Sequence, residues 1–84
     1  MKAQIVDTDI TLQELARRDN DVCYLCGGKV DWSDYVLIDS TFVSGERYPS
    51  MDHVIPLSKQ GKHAWDNVRL AHLGCNRNKG AEIV

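Results

Sequence analysis

At 84 residues the chain is long enough for one domain and too short for a large apolar core, so a staple is expected. A net charge of -2 lacks the basic excess of a general polyanion binder, and three cysteines cannot all pair within one chain. There is no apolar leader and nothing near the roughly 20 apolar residues of a membrane span, so an intracellular, reducing setting with no membrane is expected.

Thr11-Leu12-Gln13-Glu14 has the form of a capping box, with Thr11 as N-cap and Glu14 reaching back to its N–H. A helix over about Leu12 to Asp19 follows, with Leu12, Leu15 and Ala16 on one face, and Asn20-Asp21 ends it. Cys23-Tyr24-Leu25-Cys26-Gly27-Gly28 reads as a knuckle, in which glycine after the second cysteine suits a positive φ. Between Asp31 and Tyr48, Tyr35-Val36-Leu37-Ile38 and Thr41-Phe42-Val43 lean towards β and Ser44-Gly45 looks like a turn, and the stretch reads as an irregular insertion with one short strand.

Ser50 to Ile55 is expected as a strand stopped by Pro56, and Leu57 to Asp66 as a loop. Val68-Arg69-Leu70-Ala71 alternates and should pair back as a second strand. A short helix is expected from about Cys75, placing Asn76 and Lys79 near its N-terminal end, where free N–H groups favour anions. The sum is a small α+β domain: a short N-terminal helix, then strand, loop, strand and helix, a ββα unit.

Cys23-x-x-Cys26 and His72-x-x-Cys75 are two ligand pairs of the spacing that lets one turn reach one ion. Structural zinc is the favoured reading. A reduced cysteine pair and a redox CxxC are the alternatives, but the redox reading needs a βαβ context that this chain lacks. His72 also qualifies as a ligand of a second metal or as an ordinary histidine; its spacing to Cys75 favours zinc.

Charge is unevenly spread. Residues 1–42 hold eight acidic and four basic groups, whereas residues 43–84 hold four acidic and six basic, with Arg69, Arg77 and Lys79 near the end. A local basic patch suffices to meet a phosphate backbone.

Taken in order, Cys23-x-x-Cys26, Asp52-His53-x-x-Pro56, Asp66-Asn67 and His72-x-x-Cys75-Asn76-x-x-Lys79-Gly80 resemble the HNH endonuclease family. More specifically, they resemble the small zinc-stapled type common in bacteriophages and mobile elements. The resemblance covers about residues 19–81 and implies a zinc-stabilised ββα-metal, or His-Me finger, fold in a single nuclease domain. It implies phosphodiester hydrolysis with one divalent cation, Mg²⁺ or Mn²⁺. His53 matches the general base, which needs its other ring nitrogen held by a backbone carbonyl. Asp52 and Asn76 match the two oxygen ligands of the catalytic cation. Asn67 matches the middle letter of HNH and braces the loop. Asn76 stands where the name has histidine, and Lys59-Gln60-Gly61-Lys62 where many relatives carry Gly-Gly.

Neighbours on a strand point to opposite faces, so Asp52 and His53 call for a twist or bulge near Met51–Val54. Lys79, with Arg77 or Arg69, is expected to contact phosphate. His63 reads as a solvated loop residue, with a DNA contact as the alternative, and Trp32 and Trp65 as packing residues in preference to base-stacking platforms. One ββα unit carries one site, so a monomer or weak dimer should nick DNA. Phage packaging proteins or a fused DNA-recognition domain are expected partners, since no DNA-reading module is visible and the chain reads as a catalytic piece of a longer protein. The alternative is a zinc-stabilised DNA- or protein-binding module without activity.

Overall fold

The computed structural model describes residues 6–80; the terminus of the expected core, residue 81, lies outside them. Helix α1 runs over Leu12–Arg18, with the Thr11 side chain accepting from the Glu14 N–H at 3.1 Å. Only this half of the capping box forms, because the Glu14 carboxylate pairs with Arg17 instead. Leu15 and Ala16 face inward, and Asn20 and Asp21, at φ +58° and +57°, turn the chain into the knuckle.

The stretch expected to be irregular is a hairpin. β1 (Tyr35–Ile38) pairs antiparallel with β2 (Thr41–Ser44). Asp39 and Ser40 form the two-residue loop with φ of +50° and +64°. Two positive φ values in succession mark a type I′ turn, whose twist matches that of paired strands. The turn expected at Ser44-Gly45 follows β2, where the Tyr48 N–H donates to Gly45 O at 3.2 Å. Trp32, Tyr35, Phe42 and Tyr48 pack against one another at the base of the hairpin.

β3 (Pro49–His53) and β4 (Val68–His72) form the second antiparallel pair, in register from Pro49↔His72 to His53↔Val68. β3 is shorter than expected because Asn67 takes over from the ladder: its side-chain oxygen accepts the Ile55 N–H at 2.9 Å. Leu57–Lys59 makes a single 3₁₀ turn in the connecting loop. Gly61 passes so close to Ile55 that an added Cβ would lie 1.8 Å from its carbonyl oxygen.

α2 (Leu73–Lys79) starts two residues earlier than expected. Glu46 O and Tyr48 O, from the segment behind the hairpin, accept the Gly74 and Leu73 N–H groups at 2.8 Å each. Lys79 is therefore the last residue of α2 and not part of its N-terminal end.

Leu15, Ala16, Cys23, Val30, Val68, Leu70 and Ala71 form the core, between α1, the knuckle and the β3–β4 pair. A core this small supplies little surplus stability by apolar burial, which gives a metal staple its physical purpose. No helix among the described residues is long and apolar enough to cross a membrane.

Candidate active site and metal centre

Two turns carry the sulfur and imidazole ligands. The knuckle reverses through Gly27 at φ +79°, with the Gly27 N–H on Cys23 O and the Cys23 N–H on Gly28 O, both 2.8 Å. The Tyr24 N–H donates to Leu70 O at 2.9 Å, which fastens the knuckle to β4. The second turn is the corner between β4 and α2, where His72 is N-cap and Cys75 is in the first helical turn.

The ligand atoms of Cys23, Cys26, His72 and Cys75 all lie within 4.8 Å of one another. Sulfurs on one tetrahedral zinc sit roughly 3.8 Å apart, so these four residues can hold a zinc ion. His72 Nδ1 is 3.2 Å from Cys26 Sγ and 3.8 Å from Cys75 Sγ. Its Nε2 lies 2.8 Å from Lys29 O, a contact that protonates Nε2 and leaves Nδ1 as the ligand atom. Burial raises the Cys23 thiol, but the N–H groups of His72, Cys26 and Leu25 outweigh it and bring it down to about 7. Cys75 is pushed up to about 11, by burial first and then by Cys26 and the Cys23 charge. A cation at their centre relieves that repulsion.

A cleft of about 250 Å³ opens beside β3 and α2, with Asp52, His53 and Asn76 in its lining. No bulge interrupts the β3–β4 register, so of the expected twist or bulge the bulge does not form. Asp52 and His53 both reach the cleft because β3 ends at His53, where the chain leaves the ladder. The Asn76 amide nitrogen donates to Ser50 Oγ at 3.1 Å and Met51 O at 3.2 Å, leaving the amide oxygen as its donor atom for a cation.

Residues 23–82 match the family model described as HNH endonuclease, from the first knuckle cysteine to beyond Gly80. The chain belongs to the HNH endonuclease family. No curated protein and no solved structure matched it significantly. Membership supports nuclease activity in general and the use of a metal, within a ββα-metal fold that also carries the Cys₃His group.

Within the cleft, Asp52 is buried and doubly held. Tyr24 Oη donates to Asp52 Oδ2, and Lys79 Nζ lies 3.2 Å from the same oxygen. Lys79, expected on phosphate, is only 4% exposed in its side chain and also reaches His53 O at 3.4 Å. Its ammonium is spent inside the protein, where an unpaired carboxylate would be costly. Arg69 and Arg77 are exposed, Arg69 in register with Asp52 across the ladder. Burial and the neighbouring Asp52 carboxylate push the Tyr24 hydroxyl far up, so it remains a donor. Sequence reasoning missed Tyr24; its position between the knuckle cysteines was the available hint.

Asn67 is buried and makes three hydrogen bonds, accepting from Ile55 N and donating to Ile55 O at 3.0 Å and Lys62 O at 2.8 Å. It ties both ends of the β3–β4 loop together. His53 Nε2 meets no backbone carbonyl; its partner is His63 Nδ1, at 3.0 Å. His63 is thus half-buried against the expected base and not a solvated loop residue. Burial, then His63, and further on Lys79, hold the His53 imidazole below its ordinary value despite the opposing Asp52 charge. That keeps the ring neutral near pH 7, the form that can accept a proton. Trp32 and Trp65 pack, their indole N–H groups on Asp21 and Asp9.

Proposed function

We propose that the chain is a metal-dependent DNA endonuclease that hydrolyses phosphodiester bonds and, as a monomer, nicks one strand at a time. The observation that carries this reading is the cleft that gathers Asp52, His53 and Asn76. Asp52 and Asn76 offer a carboxylate and an amide oxygen, the hard donors that suit Mg²⁺ or Mn²⁺. A carboxylate has about four lone-pair sites, so the contacts of Asp52 with Tyr24 and Lys79 leave room for a cation. Once bound, the ion supplies Lewis-acid stabilisation of charge on the scissile phosphate.

The chain's own residues do the rest. His53 takes the proton of the attacking water as its oxygen bonds to phosphorus. The bond from phosphorus to the 3′ oxygen breaks, giving a 5′ phosphate and, after proton uptake from solvent, a 3′ hydroxyl. Asn67 holds the loop in place around His53. Lys79 keeps Asp52 paired and oriented, and the exposed Arg69 and Arg77 take the phosphate contacts on either side. The HNH type suggests a phage or bacterial setting, where a packaging protein or a DNA-reading domain would direct the cut.

A second reading, a zinc-stabilised DNA- or protein-binding module without activity, draws on the buried Asp52–Lys79 pair, in which Lys79 already balances the charge of the carboxylate. Plasmid nicking separates the two. With Mg²⁺ or Mn²⁺ the wild type should convert supercoiled to open-circular DNA, and His53→Ala should slow it by about 10²- to 10⁴-fold. Undiminished cutting by His53→Ala removes His53 as the base. DNA retention without cutting in either metal favours the binding module.

A further inference from the structure

His53 and His63 are ten residues apart in sequence and on opposite limbs of one loop, yet their rings meet. His53 Nε2 lies 3.0 Å from His63 Nδ1, with ring centres 5.2 Å apart and planes at 47°. The backbone around His63 is held on two sides. Asn67 Nδ2 donates to the preceding carbonyl, Lys62 O, at 2.8 Å. His63 O itself accepts the Val6 and Asp7 N–H groups at 3.2 and 3.1 Å, and Asp7 Oδ2 accepts the Trp65 N–H at 2.8 Å. The N-terminal segment thus clamps the short stretch that presents the His63 ring.

A hydrogen bond between two imidazoles needs one N–H and one bare nitrogen. If His63 donates, His53 Nε2 is the acceptor and His53 Nδ1 carries the hydrogen, so no free lone pair remains on His53. If His53 donates from Nε2, its Nδ1 is bare and can receive a proton. Only the second arrangement is compatible with a base at position 53.

We infer that His63 is a positioning residue for the nuclease reaction, accepting the His53 Nε2–H through its Nδ1 and so selecting the tautomer and ring orientation of the base. It takes the place that a backbone carbonyl was expected to fill. Asp7, through its contacts to His63 O and the Trp65 N–H, keeps this acceptor in place. The inference rests on the proposed role of His53 as base.

The test uses the zinc-loaded full chain. Nitrogen-15 spectra of the imidazoles read the His53 tautomer directly, and nicking kinetics with Mg²⁺ read kcat and KM. The wild type should show His53 protonated at Nε2. His63→Ala should scramble that tautomer and lower kcat by about 10²-fold, the scale of a misplaced reacting group, with KM little changed. His63→Asn puts an amide oxygen close to where Nδ1 sits, and should restore most of both. Asp7→Ala should lower kcat in the same direction by a smaller factor. Should His63→Ala fail to fold, the wild-type spectrum and the Asn variant still decide.

A wild-type His53 protonated at Nδ1 overturns the inference, as does a His63→Ala protein with unchanged kcat and tautomer. In those cases the loss of cutting by His53→Ala leaves the base reading standing. Cutting that survives His53→Ala overturns the base reading and the catalytic role of His63 together, whatever the tautomer.

Discussion

Asp19 carries more of the fold than a helix C-cap usually does. Its Oδ2 accepts the Leu70 N–H at 2.9 Å, and its carboxylate meets Arg18 at 2.7 Å. Arg18 in turn donates to Trp65 O and Val68 O, both at 2.5 Å, so these two residues rivet α1 to β4. Burial raises the Asp19 carboxyl, but Arg18 and the Leu70 N–H outweigh it, with smaller help from the Arg69 charge, and hold it below its ordinary value. A depressed carboxyl stabilises the fold fully above its unfolded value, about 3.9, and that contribution is lost as pH falls through the folded value. Asp19→Asn should therefore cost about 1.5–3 kcal/mol at pH 7, the range for hydrogen bonds to a charged group. The urea-unfolding gap between wild type and variant should narrow as pH falls below that value; a gap constant with pH would mean that the charge of Asp19 is immaterial. No sequence rule pairs Asp19 with Leu70, because the contact spans 51 residues. The same limit hid His63, whose pairing with His53 depends on how the loop doubles back.

Among the elements, the β3–β4–α2 unit was readable because its signals are local: an alternating strand, Pro56 after the first strand, and ligand pairs at turn spacing. Its boundaries moved by up to two residues, since the carbonyls that cap α2 and the amide that ends β3 come from elsewhere in the chain. For the β1–β2 hairpin the β-leaning composition of both strands was readable, but their pairing and turn were not. Its turn is Asp39-Ser40, which lacks the glycine that normally announces a type I′ loop. Its strands are apolar on both faces, with Val36, Leu37 and Ile38 all more than half exposed, so no alternation marks a buried side. The positive φ at Ser40 is a steric cost that glycine does not bear. Ser40→Gly should raise stability by about 0.5–1 kcal/mol, the relief being partly offset by extra freedom in the unfolded chain. The urea midpoint measures it, and a lower midpoint would argue against the turn geometry.

Across the whole molecule, the zinc group and the cleft are joined at two covalent points. Cys23 precedes Tyr24, which donates to Asp52, and Cys75 precedes Asn76, which lines the cleft. A metal that fixes the two cysteines would therefore also fix Asn76 and the Tyr24 that holds Asp52. Cys26 is exposed, so Cys26→Ser removes a ligand with little loss of apolar packing. That variant should retain less zinc, melt at a markedly lower temperature and cut DNA poorly even with excess Mg²⁺. Metal content, thermal melting and nicking read the three effects; full activity without zinc would uncouple the sites.

By itself the sequence determined the ligand types, their spacing and the ββα order, because chemistry and turn geometry act over a few residues. Tertiary structure alone decided which groups Asp52 and His53 face. It buried Lys79 against Asp52 and set His63 against His53. Those pairings arise from packing the knuckle, the loop and α2 around β3, and contacts between distant segments leave no period or spacing in a linear chain.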